Sequence, residues 1–144
     1  MDSKNYHTTI LVNASPAEAM KKISEVKKWW AKKTSGKSEK PGDEFKVDFG
    51  QTFVDFRISA LEPAKRLVWT VTGCNLHWIK DKKEWNGTEV VFELSGKGKQ
   101  TQIDFTHVGI TPESECYNEC KPGWDEHVGE SLLKHINEGK GTPV

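Results

Sequence analysis

The last third of the chain constrains the fold most. An alternating run ends at Phe105-Thr106-His107, passes Gly109 and Pro112, and enters one long helical segment that closes at Gly139-Lys140-Gly141. Along the run Thr101, Ile103, Phe105 and His107 share one face and Gln102, Asp104 and Thr106 the other, the period-two pattern of a half-buried strand. A sheet whose last strand leads into an amphipathic helix buries its apolar face by taking that helix onto it. A curved sheet under a helix tends to leave a space between the layers, and such a space can hold a small molecule.

Upstream, Tyr6 to Val12 reads as a strand that stops at Asn13-Ala14-Ser15-Pro16, where Ser15 can cap a helix opened by Pro16. Ala17, Met20, Ile23 and Val26 then fall at helical spacing, Trp29-Trp30 ends the pattern, and the polar stretch from Lys32 to Asp43 reads as a loop. Strands are predicted over Glu44 to Phe49, Thr52 to Leu61, Arg66 to Thr72, Thr88 to Leu94 and Thr101 to Val108, with short turns that imply antiparallel neighbours. Parity turns Phe45, Val47 and Phe49 inward, together with Val54, Phe56 and Ile58 and with Val90, Phe92 and Leu94; it turns Asp55 and Arg57 outward. The final helical region is predicted from Thr111-Pro112 to Glu138, with a break at Pro122-Gly123 and with Trp124, Val128, Leu132 and His135 or Ile136 facing the sheet. The expected fold class is therefore α+β: a curved antiparallel sheet of about six strands wrapped around a long C-terminal helix, with two short helices after the first strand. The 144 residues fit a single domain, 1–144.

Twenty-one basic and 21 acidic residues give zero formal net charge, so the chain lacks the electrostatic footprint of a nucleic-acid or anionic-membrane binder. No apolar run is long enough for a membrane span, and the first residues are too polar for a signal peptide, so a cytoplasmic protein without membrane insertion is expected. Three cysteines, Cys74, Cys116 and Cys120, are an odd number in a chain that can fold without staples, which favours reduced thiols. Six Trp and six Phe with few aliphatics mean that rings must supply much of the buried area.

The element order resembles the helix-grip fold of the START-like superfamily, also known as SRPBCC. The resemblance is carried by Val12-Asn13-Ala14-Ser15-Pro16-Ala17-Glu18, by the pair Trp29-Trp30, and by the hairpin Glu62-Pro63-Ala64-Lys65-Arg66-Leu67-Val68-Trp69. Phe105-Thr106-His107-Val108-Gly109, and Cys120 with Gly123-Trp124 and Ser131-Leu132, extend it to the end of the chain. Together they resemble the subfamily named after the activator of heat-shock protein 90 ATPase. The resemblance implies a cavity protein for hydrophobic or amphipathic small molecules, with lipid carriers, plant hormone receptors and polyketide cyclases among the relatives. The eukaryotic co-chaperone has a further domain for which this chain has no room, so direct chaperone activation is not expected.

Candidate site residues follow from parity. His107 faces the helix beside Ile103 and Phe105 and can orient a ligand's carbonyl or hydroxyl; the alternative is a core histidine hydrogen-bonded to the final helix. Phe56, Trp69, Phe92, Phe105 and Leu132 are candidate apolar walls, against the plainer reading as core. Tyr117 and Trp124 lie beside the predicted break, where a gate or a structural cap is expected. Cys116 and Cys120, four apart, could join His107 or His127 around zinc, but two thiols without a second ligand pair at metal spacing are more often small buried hydrophobes, and no metal or cofactor is expected.

Phosphate-binding, dinucleotide, zinc-protease and nucleophile-elbow motifs are absent from the sequence. The first functional reading is thus a protein that binds a small hydrophobic or amphipathic ligand, lipid-like or aromatic, without turnover, as a monomer or weak homodimer. The second is a stress- or chaperone-associated interaction module, its surface formed by Lys27, Lys28, Lys32 and Lys33 near Trp29-Trp30. The third is a cyclase-like enzyme in the same cavity.

Overall fold

The computed structural model describes residues 5–144. Strand β1 (Tyr6–Val12) is followed by helices α1 (Pro16–Ser24) and α2 (Val26–Trp29). Six further strands follow: β2 (Lys33–Gly36), β3 (Glu44–Asp48), β4 (Phe53–Glu62), β5 (Arg66–Asn75), β6 (Glu89–Lys97) and β7 (Gln100–Val108). The C-terminal helix is continuous and consists of α3 (Tyr117–Glu126), a π-helical turn (His127–Leu132) and α4 (Leu133–Glu138). The strands form one antiparallel sheet in the order β1-β7-β6-β5-β4-β3-β2. No helix among the described residues is long and apolar enough to cross a membrane.

The sheet has one strand more than the expected six. β2 lies inside the stretch predicted to be a loop, where Lys33-Thr34-Ser35-Gly36 pairs with Asp48 to Phe45 of β3. It is short, exposed and charged, as suits a sheet edge, and an edge strand needs backbone pairing but no apolar alternation. Curvature arises between β4 and β5, whose register shifts at Asp55/Phe56 and again between Ile58 and Ala60; such irregularities bend and twist a strand pair. Parity is otherwise as expected. The inward residues of β3, β4, β6 and β7 are buried, with Phe49, just past β3, only partly so, while Asp55 on the outer face lies 3.9 Å from Lys46.

The helices begin where local chemistry directs. Ser15 Oγ accepts a hydrogen bond from Glu18 N at 3.2 Å and Pro16 opens α1. Glu25, with φ −86° and ψ 58°, ends α1 and separates it from α2. The C-terminal helix starts at Tyr117, later than predicted, because Thr111 to Ser114 form a turn in which Thr111 N donates to Ser114 Oγ. Nor does Pro122 break the helix. It removes the one bond to Asn118, a residue on the exposed side whose carbonyl water can reach, and the irregularity falls a turn later as the π-helical segment.

Most of the space between sheet and helix is filled. Trp29 and Trp30 enter it from the end of α2 at 0 and 2 % exposure, and both stack on Trp69, Trp30 with an interplanar angle of 1°. Phe45, Phe56 and Phe92 surround Trp69, and Phe105 packs against Trp124 with centroids 4.6 Å apart. Rings thus supply the interior that the lean aliphatic content could not. They also occupy the central space in which a ligand was expected.

After Gly139 ends α4 in the left-handed conformation, the tail turns back onto α2. Val144 N donates to Trp30 O and Lys32 N to Val144 O, each at 2.9 Å; Ser131 Oγ donates to Trp29 O and accepts from Thr142 N. Gly141 sits where a Cβ would lie 2.5 Å from Lys28 O and 2.9 Å from Trp29 Cα. Gly141→Ala is therefore expected to push the tail off α2 and cost about 1–3 kcal/mol. Urea unfolding of the variant would test this, and a midpoint equal to that of the parent would show that the close approach does not matter.

Candidate ligand cleft

Beside α3 the rings do not close completely, and a cleft of ≈ 290 Å³ remains, at the small end for a ligand site. Trp30, Trp85 and Trp124 form its apolar wall, Phe49 extends it, and Trp78, 43 % exposed, stands at the mouth. Trp30 and Trp124 have centroids 4.9 Å apart, and Trp85 stacks on Trp124 at 5.8 Å and 14°. Trp85 and Trp78 both come from the long connection between β5 and β6, where Leu76, Ile79 and Trp85 are buried and hold the loop down. Val144 of the returning tail contributes a further apolar edge.

The polar groups at the cleft come mostly from the C-terminal helix. His127 opens the π-helical turn, its ring 6.1 Å from that of Trp30. Burial holds its pKa below the usual histidine value, only partly offset by Glu126, so the ring is neutral near pH 7. Among the described residues nothing hydrogen-bonds to the His127 ring or to Trp30 Nε1, whereas the indoles of Trp29, Trp85 and Trp124 all have acceptors. Glu119 and Glu126 line the rim without a hydrogen-bond or ion-pair partner among the described residues.

His107 occupies the position that its alternative reading described. It is fully buried, and Trp124 Nε1 donates to its Nδ1 at 3.1 Å. That bond fixes the tautomer: Nε2 carries the proton and donates to Thr88 Oγ1 at 2.9 Å, and the Thr88 hydroxyl in turn donates to the Trp85 carbonyl. Desolvation lowers the pKa of His107 to about 3. Both nitrogens are committed, and His107 lies behind the wall, where it orients Trp124.

Of the residues expected around a ligand, only Trp124 borders the cleft. Phe56, Trp69, Phe92, Phe105 and Leu132 belong to the closed interior, and Tyr117 is half-buried on α3 away from the cleft. Trp69 Nε1 is buried there without an acceptor among the described residues. His127 and Trp85 were not singled out as wall residues, because strand parity says nothing about loops or about the phase of a helix containing a π turn. The second expected surface also changes: with Trp29 and Trp30 buried, Lys27, Lys28, Lys32 and Lys33 offer charge without aromatic area. Cys116 and Cys120 were expected as thiols but form a disulfide, since one helical turn brings their Cα atoms to 5.6 Å. Cys120 lies on the cleft wall, Trp85 Nε1 donates to Cys116 Sγ at 3.2 Å, and Cys74 is a buried free thiol.

A curved antiparallel sheet closed by a long C-terminal helix over an aromatic interior defines a helix-grip protein of the START-like class. Within that class the chain belongs to the family described as Activator of Hsp90 ATPase homolog 1-like protein, whose model matches residues 18–137. The dimeric Aha1 of Colwellia psychrerythraea, solved in solution, is 28% identical over 95% of this chain and 98% of its own, with a TM-score of 0.78. DynU16, a protein of the dynemicin biosynthetic locus, is 22% identical with a TM-score of 0.71, and the match covers 96% of this chain but 49% of DynU16. CalU16 of Micromonospora echinospora is 19% identical over 94% of this chain and 75% of its own, with a TM-score of 0.68. The last two speak for the fold alone. No curated protein matches the sequence.

Proposed function

We propose that the chain, acting as a single domain, binds a small hydrophobic or amphipathic molecule without converting it. The observation that carries this reading is the aromatic cleft with an unpartnered His127 in its wall. An apolar ligand body would cover Trp30, Trp85 and Trp124 and gain about 25 cal/mol per Å² of apolar area removed from water. A polar group on the ligand would meet the His127 ring. The cleft opens at one edge of the interior first expected and shares Trp30, Val54, Trp85 and Trp124 with the core, so His127 and the exposed rim are the positions to replace without disturbing the packing. A monomer or a weak homodimer is proposed for its assembly, the second being in keeping with the dimer of the Colwellia relative.

Native mass spectrometry of gently purified protein, followed by solvent extraction, tests the reading. A stoichiometric adduct lost in His127→Ala is expected. A clean apo mass, together with no thermal stabilisation by a panel of small aromatic and aliphatic compounds, would overturn it in favour of a protein-interaction role, and turnover of the extracted compound would favour an enzyme.

A further inference from the structure

The rim of the cleft is as specific as its wall. Glu119, Gly123 and Glu126 stand at positions i, i+4 and i+7 of α3, which places them on one face of the helix, and all three line the cleft. A Cβ built on Gly123 would have nothing within 4 Å, so the two carboxylates flank an open notch. Among the described residues no Lys or Arg lines the cleft. The neighbouring acids are otherwise occupied: Asp125 binds Lys121 and the Tyr6 hydroxyl, Glu115 accepts from Lys80 N and Asp81 N, and Glu84 accepts from Glu115 N and Cys116 N. Glu119 and Glu126 are thus exposed charges with no protein partner among the described residues, and both line the cleft.

The geometry points to an amphipathic organic cation as the ligand class: an amine whose ammonium rests on Gly123 between Glu119 and Glu126 while its ring or short alkyl body lies against Trp30, Trp85 and Trp124. This rests on the binding function proposed above and adds the sign of the ligand's charge. Trp78 at the mouth adds an indole, the side chain that most attracts a cation, and neutral His127 offers a lone pair to an ammonium N–H. An anionic ligand of the same shape would meet two like charges and no counter-charge. A neutral one would leave both carboxylates to water and gain nothing from their charge.

Three probes that share a phenyl ring and differ in the head group separate the cases: 2-phenylethylamine, 2-phenylethanol and 3-phenylpropionate, titrated against intrinsic tryptophan fluorescence and by calorimetry. The amine is expected to bind about tenfold more tightly than the alcohol, and the carboxylate more weakly than either, as two partly exposed carboxylates allow. That preference is expected to shrink at high salt, and to vanish in Glu119→Gln/Glu126→Gln while alcohol binding is retained. Equal affinity for amine and alcohol, or a preference that survives the double substitution, overturns the cation assignment and leaves the binding function standing. Failure of all three probes to bind, with no stabilisation by longer amines and alcohols, counts against both.

Discussion

Trp124→Ala is expected to lower the unfolding free energy by about 4 kcal/mol, a large part of the stability of a domain this size. The indole is nearly fully buried and touches Trp30, Trp85 and Phe105, so its loss empties a volume bordered by rings that cannot collapse into it. The substitution also removes the only donor to His107 Nδ1 among the described residues, leaving a buried acceptor unpaired, which itself costs about 1–3 kcal/mol. Trp124→Phe separates the two effects: it keeps most of the packing and loses the hydrogen bond, and should cost about half as much. Urea unfolding of the parent and both variants gives the comparison. A loss below about 1.5 kcal/mol for the Ala variant would mean that the wall is looser than its contacts indicate.

The second large effect is a dependence of stability on pH, arising from His107. Its folded pKa of about 3 lies below the value of about 6.5 for an exposed histidine, so below pH 6.5 the unfolded chain takes up a proton that the folded one refuses. Protons bound by the unfolded state exceed those bound by the folded state, and stability therefore rises with pH across this window. Above pH 7.5 both forms are neutral and the residue contributes no slope. Between pH 7 and 5 the loss from this one residue is about 2 kcal/mol, and it continues down to about pH 3. His127, also lowered by burial, acts in the same direction. His107→Gln, which retains a donor and an acceptor, should be less stable than the parent at pH 7, and the gap should narrow by about 2 kcal/mol at pH 5. A gap that stays constant between those pH values would show that His107 accepts its proton in the folded state.

The two expectations involve adjacent groups, and their adjacency explains how far the sequence could be read. Parity in β7 placed His107 among the buried residues, and the plainer reading named its partner element, the final helix. Periodicity likewise located β1, the Ser15 cap and the inward faces of β3, β4 and β6, because each is a local pattern tied to a sheet with one buried side. β2 escaped because its pairing uses backbone groups alone and its side chains are those of a solvated loop. The cleft escaped for a different reason. Whether inward rings meet or leave a gap depends on how Trp29 and Trp30 insert from α2 and on where the β5–β6 connection sets Trp78 and Trp85, and neither is a periodic property. The π-helical turn has no marked signal either, since Gly129 within it is equally compatible with an ordinary turn.

That turn also divides the work of the C-terminal helix. A π segment accommodates one residue more than an α turn, so the portion before it and the portion after it present faces that are out of phase by about 100° relative to an unbroken helix. The first portion carries Glu119, Gly123, Trp124 and, at its junction with the turn, His127; the second carries His135, whose Nε2 lies 2.7 Å from Glu25 at the α1–α2 junction. One helix thus serves as two tools with independent bearings, one bordering the cleft and the other holding the α1–α2 junction against its own last turns. The exposed positions of the first portion, Glu119 and Glu126, can therefore change without disturbing the His135–Glu25 contact of the second, whereas Trp124 belongs to the packed interior and cannot.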